Sequence, residues 1–202
     1  MKLYFAPGAC SMAPHITLHE SGLPFTAEAV SMQDWKTKSG KDFKKINPKG
    51  YVPALELDNG ELLTEGAVIM QYIADKAPAA KLIPAAGTME RYRAQEWLNY
   101  ISTELHKGFS PLFSPDTPEA FKAAAMDRLG QRLDFANRAM EGKQYLLGDQ
   151  FTVADAYLFT VLSWAPYVKF DLAPFSALTK FQERVRAREK VKATLEAEHA
   201  SK

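Results

Sequence analysis

Cysteine is almost absent from this sequence: Cys10 is the only one in 202 residues. No intramolecular disulfide can therefore form, and a reducing, cytoplasmic setting is expected. Ala13 stands where a CxxC dithiol would place its second thiol, so any disulfide made by Cys10 must use an external partner. An excess of charge is missing as well. The 25 Lys plus Arg stand against 24 Asp plus Glu, a formal net charge of +1, which leaves no broad field to hold nucleic acid or an anionic membrane. Neither part of the chain hides a basic half, since residues 1–80 carry 8 basic and 9 acidic side chains and the rest 17 and 15. No window approaches 18 uninterrupted apolar residues, and the apolar start breaks at Pro7-Gly8, too early for a signal peptide. A soluble protein that does not span a membrane is expected. His15, His19 and His199 show no metal-ligand pairing, and a Gly-rich phosphate loop is lacking, so no metal is expected as cofactor.

Apolar residues make up 47% of the chain, enough for a sizeable core. Strand-like and helical runs alternate up to about residue 80. Leu3 to Ala6 reads as a strand, Ser11 to Glu20 as a helix closed by Ser21-Gly22, and Phe25 to Val30 as a second strand. Val52 to Leu57 and Glu61 to Leu63 flank Asp58-Asn59-Gly60, a hairpin turn, and a helix follows from about Glu65 to Lys76. Beyond Pro78 and Pro84 the strand signals stop. Helices are expected over about Met89 to Phe113, Pro118 to Glu141, Val153 to Val168, Phe175 to Arg188 and a short tail, with a capping box at Thr152-Val153-Ala154-Asp155. The expected organisation is an α/β domain over 1–80, a linker over 81–86 and an all-α domain over 87–202.

Cys10 follows Pro7-Gly8-Ala9 at the start of the first helix, where unpaired N–H groups and the helix dipole favour an anion. A small buried residue without chemistry is the alternative. Ser11 reads as a helix cap or a hydroxyl donor. Val52-Pro53 opens a strand, where proline removes a ladder donor; a cis bond would leave neighbouring backbone groups able to pair with an extended ligand, and a trans proline at a strand edge is the alternative and commoner reading. Thr64-Glu65-Gly66 lies at a strand-to-helix junction, suited to a ligand carboxylate on the backbone N–H groups and an ammonium on Glu65; helix capping is the alternative reading. Glu96, Asn99, Thr103 and His106 recur at spacings of three, four and three, one face of a helix or a solvated stripe.

Taken together these motifs resemble the cytosolic glutathione S-transferases, and among them the bacterial beta class. Pro7-Gly8-Ala9-Cys10-Ser11 is similar to the class's active-site start, Asn47-Pro48-Lys49-Gly50-Tyr51-Val52-Pro53-Ala54-Leu55 to the segment leading into its cis-proline, and Leu63-Thr64-Glu65-Gly66 to its γ-glutamyl site. Trp97-Leu98-Asn99-Tyr100, Thr103-Glu104-Leu105-His106-Lys107 and Phe151-Thr152-Val153-Ala154-Asp155 resemble stretches of its helical domain. The resemblance implies a thioredoxin-like domain followed by a helical one, and a homodimer. It further implies glutathione as cosubstrate, with Cys10, Ser11 and His106 near its sulfur and Val52 and Pro53 beside its cysteinyl part. Glu65 and Gly66 would take its γ-glutamyl end, Trp35 and Lys36 its glycyl end, and Asn99, Thr103 and Glu104 would complete the site. Trp35 stands where beta-class relatives often have lysine, and Gly66 where many transferases have serine.

A thiol of pKa about 8.5 is about 3% ionised at pH 7, and making the thiolate the major form by a shift of two pKa units requires about 2.7 kcal/mol. A helix N-terminus supplies about 0.3–1 kcal/mol, up to about 2, and one hydrogen bond to a charged acceptor about 1.5–3. Cys10, Ser11 and His106 are the candidate donors. The implied activity is conjugation of the glutathione thiolate to hydrophobic electrophiles. Thiol transfer or reductive dehalogenation through a Cys10 mixed disulfide, a noncatalytic ligand carrier, and a Cys-His hydrolase are the alternatives. Phe109, Phe113, Tyr167 and Phe170 are candidates to line the second-substrate pocket.

Overall fold

The structure is a computed structural model that describes residues 1–201. The chain divides into two compact units, Met1–Ile83 together with the chain from Ala187 onward, and Pro84–Arg186. The first unit opens with β1 (Lys2–Phe5), α1 (Met12–Ser21) and β2 (Thr26–Ala29). After a short helix, α2 (Phe43–Ile46), come β3 (Ala54–Glu56), β4 (Leu62–Thr64) and α3 (Gly66–Lys76). The sheet order is β2-β1-β3-β4, with β1 parallel to β2 and antiparallel to β3, and β3 antiparallel to β4. This is the expected βαβ followed by ββα.

The two-residue period of β1 explains why its apolar run is continuous. Leu3 and Phe5 point into one core with Leu18, Leu55, Ile69 and Ile73, while Tyr4 and Ala6 point into another with Val30, Phe43, Val52 and Ala54. A central strand covered on both faces has no polar side to show. Gly22 ends α1 in the left-handed region at φ 69°, a conformation glycine adopts without steric cost. Before α2, isolated bridges join Val30 to Thr37 and Lys36 to Asp42.

The second unit holds α4 (Met89–Tyr100), α5 (Lys107–Phe113), α6 (Glu119–Met140), α7 (Val153–Leu162) and α8 (Ser176–Arg186). Every residue of α7 is buried, so the helix shows no solvated face and lies within the core of the unit. Its Thr152 and Asp155 make the expected capping box.

Two expectations are corrected. The single helix over 89–113 is interrupted by a π-helical segment, Ile101–His106. The tail expected within the domain 87–202 instead belongs to the first unit. There α9 (Glu189–His199) buries Val191 and Thr194, and Arg188 donates to both carboxylate oxygens of Glu20 on α1, at 2.7 and 2.8 Å. The linker expected over 81–86 is divided between the units, and its Leu82 is buried.

Candidate active site

In the first unit the turn from Ala6 to Ser11 carries Cys10 to the mouth of α1. Ala6 O accepts the Ala9 N–H at 3.0 Å, and Cys10 O accepts that of Ala13 at 3.2 Å, so the turn runs directly into the first helical hydrogen bonds. Gly8 has φ 76°, a left-handed conformation that a β-carbon would disfavour. Cys10 is partly exposed, and its Sγ donates to Val52 O at 3.3 Å. The thiol therefore lies against the backbone just before Pro53, where the Val52-Pro53 peptide bond is cis. Ser11 departs from the expected roles. Its buried hydroxyl accepts the Ala6 N–H at 3.0 Å and donates to Ala6 O at 3.2 Å, and it makes no helix cap. With its proton directed at Ala6, Ser11 braces the turn instead of presenting a donor.

The segment from Asn47 to Tyr51 is held by a residue that the sequence left unassigned. Asn47, 1% exposed, donates from Nδ2 to Tyr51 O at 2.7 Å and accepts the Lys49 N–H at 3.2 Å. Asparagine can serve both ends of a turn because it carries a donor and an acceptor. Lys49 and Tyr51 then converge on Glu65. Lys49 Nζ lies 2.5 Å and Tyr51 Oη 3.0 Å from the same carboxylate oxygen. Both titrations move as this geometry requires, the Glu65 carboxylate raising the Lys49 ammonium and the Tyr51 hydroxyl above their usual values. Glu65 itself sits at the N-terminus of α3 with φ 67°. A β-carbon placed on Gly66 would meet Pro53 Cγ at 3.5 Å, ordinary contact.

Trp35 and Lys36 part company. The Trp35 ring stacks on Phe43 at 6.4 Å and belongs to the packing of that face. Lys36 is exposed and lines a cleft of 840 Å³ with Pro7, Ser31, Thr37 and Lys38, a size in the range of small-molecule sites.

In the second unit the side chains of Glu96, Thr103 and His106 from the polar stripe, and of Glu104 beside them, have separate partners. Glu96 pairs with Arg93 at 2.8 Å, Thr103 donates to the carbonyl of Asn99 at 3.1 Å, and Glu104 accepts from Arg132 on α6 at 2.7 Å. His106 turns inward, its Nδ1 2.7 Å from Tyr157 Oη and its ring 4.9 Å from that of Trp164. The π-helical segment Ile101–His106 changes the residue period between Asn99 and His106. Trp164 is also the centre of an aromatic group with Phe109 and Phe113, at 5.9 and 5.8 Å. Phe109 is fully buried, whereas Phe113 is 48% and Tyr167 73% exposed. Phe170 reaches the group through Phe109 at 6.5 Å.

Burial, with a smaller contribution from Lys107, pushes His106 down to about 4. The ring is therefore neutral at pH 7. The unfolded chain takes up a proton near pH 6.5 that the folded chain refuses until about pH 4. Stability from this group is thus present above pH 6.5 and is lost as pH falls, by about 3 kcal/mol at pH 4. In urea unfolding, the stability of wild type relative to His106→Phe is expected to fall by that amount between pH 7 and 4. An unchanged difference would refute the assignment.

Among the described residues no group of three or more His, Cys, Asp or Glu is arranged to hold a metal, and no helix is long and apolar enough to cross a membrane.

Residues 8–76 match the family described as glutathione S-transferase, N-terminal domain, and residues 100–189 the corresponding C-terminal domain. The chain is 49% identical over 198 residues to the glutathione S-transferase GstA of Escherichia coli O157:H7, covering 98% of each. It superposes on the structure of a sphingomonad glutathione S-transferase complexed with glutathione with a TM-score of 0.95 at 44% identity, over 98% of this chain and 99% of that one. For the bacterial beta class enzyme of Sphingomonas chungbukensis the TM-score is 0.94 at 43% identity, over 98% of both chains.

Proposed function

The chain belongs to the glutathione S-transferase family, and we propose that it directs the glutathione thiolate at electrophilic carbons of hydrophobic cosubstrates, with Cys10 beside the reacting sulfur. The observation that carries this reading is the 3.3 Å contact between Cys10 Sγ and Val52 O. A backbone edge able to pair with the cysteinyl part of an extended tripeptide would set that peptide's sulfur next to Cys10. From there the Cys10 S–H, held at the mouth of α1, is a donor to the developing thiolate. In the conjugation the thiolate sulfur bonds to carbon while the leaving group departs with its electron pair. His106 from the second unit is proposed as a further donor, neutral and fixed by Tyr157. Asn99, Thr103 and Glu104 are proposed to complete the site, and Lys36 to take the glycyl carboxylate.

Glu65 is assigned to the γ-glutamyl ammonium. Its carboxylate already attracts one ammonium, that of Lys49. Glu65→Ala is expected to weaken glutathione binding about 10- to 100-fold, since a hydrogen bond to a charged partner contributes about 1.5–3 kcal/mol. Wild type should be retained on a glutathione resin and should turn over a chloronitroarene, and the variant should be washed off. Retention without turnover of any electrophile would identify a carrier instead, and an E65A chain that still binds normally would remove Glu65 from the site.

A second outcome uses the same thiol. Cys10 is partly exposed and lies at a helix mouth, the setting of a reactive cysteine, and this favours thiol transfer through a Cys10–glutathione disulfide. We also propose a cytoplasmic homodimer that clears reactive electrophiles. The absence of any possible intramolecular disulfide supports the compartment. Met89 and Tyr92 on α4, 64% and 58% exposed, support a partner surface.

A further inference from the structure

Resting on the reading that glutathione binds beside Cys10, we propose that Glu198, on the last helix, is a positioning residue for the turn that carries Cys10. Its side chain is 4% exposed, and a carboxylate so buried is tolerated only where donors meet its oxygens. Two different elements supply the partners. Oε2 accepts the backbone N–H of Gly8 at 2.8 Å, across 190 positions of sequence. Oε1 lies 3.1 Å from Nδ1 of buried His15 on α1.

Packing α9 against its neighbours does not require a carboxylate, because Val191 and Thr194 are already buried without one. What Glu198 adds is a fixed acceptor for Gly8, two residues before Cys10 and in the left-handed region at φ 76°. Ser11 fastens this turn from within through Ala6, and Glu198 fastens it from α9. At the other end of α9 the Arg188–Glu20 pair anchors the helix to α1 without touching the turn. A displacement of about 1 Å in a group that holds a reacting atom costs on the order of 100-fold, so a tether on this turn bears on how well the cosubstrate is held beside Cys10.

Cys10 supplies a readout independent of turnover, because alkylation by iodoacetamide followed by intact mass reports this thiol alone. S-methylglutathione, which has no thiol, serves as protectant, and its half-protecting concentration measures occupancy next to Cys10. That concentration is expected to rise at least about tenfold in Glu198→Ala. Glu198→Asp should show the same direction, since it keeps a carboxylate but is too short to reach Gly8, and it serves if the alanine variant fails to fold. Glu198→Gln, which retains an acceptor for Gly8, should stay within about threefold of wild type. Arg188→Ala should also stay within that limit even where it lowers the melting temperature as much as E198A does. An unchanged concentration in E198A and E198D overturns the proposal, as does an equal rise in R188A or in E198Q. If S-methylglutathione gives no protection in wild type, the underlying reading of the site fails, and this proposal with it.

Discussion

Cys10→Ala is expected to abolish thiol transfer while leaving conjugation measurable, reduced about 10- to 100-fold. The two losses differ because the two reactions use the sulfur differently. In thiol transfer the Cys10 thiolate attacks a glutathione-containing disulfide, forms a Cys10–glutathione disulfide and expels the other thiolate; a second glutathione then attacks, giving glutathione disulfide and restoring Cys10. Without its sulfur the first bond cannot form, and Ala13 rules out a neighbouring thiol as substitute. In conjugation the attacking sulfur belongs to glutathione, and the role proposed for Cys10 is one hydrogen bond to a thiolate, worth about 1.5–3 kcal/mol. The helix mouth and the remaining donors survive the substitution. Parallel assays with a mixed disulfide and with a chloronitroarene check both arms. Persistent thiol transfer would dispose of the covalent role, and undiminished conjugation would dispose of the donor role.

Asp155→Ala is expected to destabilise the protein by about 3 kcal/mol at pH 7. The fully buried carboxylate accepts the N–H of Leu146, the N–H of Thr152 and the Thr152 hydroxyl, each at 2.8 Å. Alanine leaves these buried donors without that acceptor, at about 1–3 kcal/mol for each unsatisfied group. One opposing effect limits the loss. Burial outweighs the hydrogen bonds and pushes Asp155 up to about 6, so its ionised form is held at a cost that the variant escapes. The folded chain binds a proton below pH 6 that the unfolded chain releases near pH 4. The favourable contribution is therefore full below pH 4 and declines as pH rises through 6. The variant should consequently lose about 1 kcal/mol more at pH 5 than at pH 7, opposite in direction to the His106 effect. Urea unfolding at both pH values measures this, and a melting temperature lower by about 6–12 °C at pH 7 should accompany it. A loss that does not depend on pH would contradict the raised carboxyl.

The sequence by itself determined the elements whose cause is local. The continuous apolar run of β1, the turn at Asp58-Asn59-Gly60, the glycine after α1 and the capping box before α7 all depend on residues a few positions apart. For the same reason the motifs around Cys10, Pro53 and Glu65 were legible, since each lies at the junction of a strand or turn with its neighbour. Only the tertiary structure decided the rest. Ser11 looked like a cap or a donor until Ala6 took its hydroxyl. The bonding roles of Asn47 and Tyr157 gave no signal because a polar side chain acquires its role from the partner that folding brings to it. Glu198 is the extreme case. A glutamate near the end of a polar tail reads as solvated surface, and it becomes a buried anchor for Gly8 because α9 packs on the first unit. The physical reason is common to all four: local sequence encodes backbone conformation and apolar period, whereas the hydrogen-bond partners of a buried polar group are set by long-range packing.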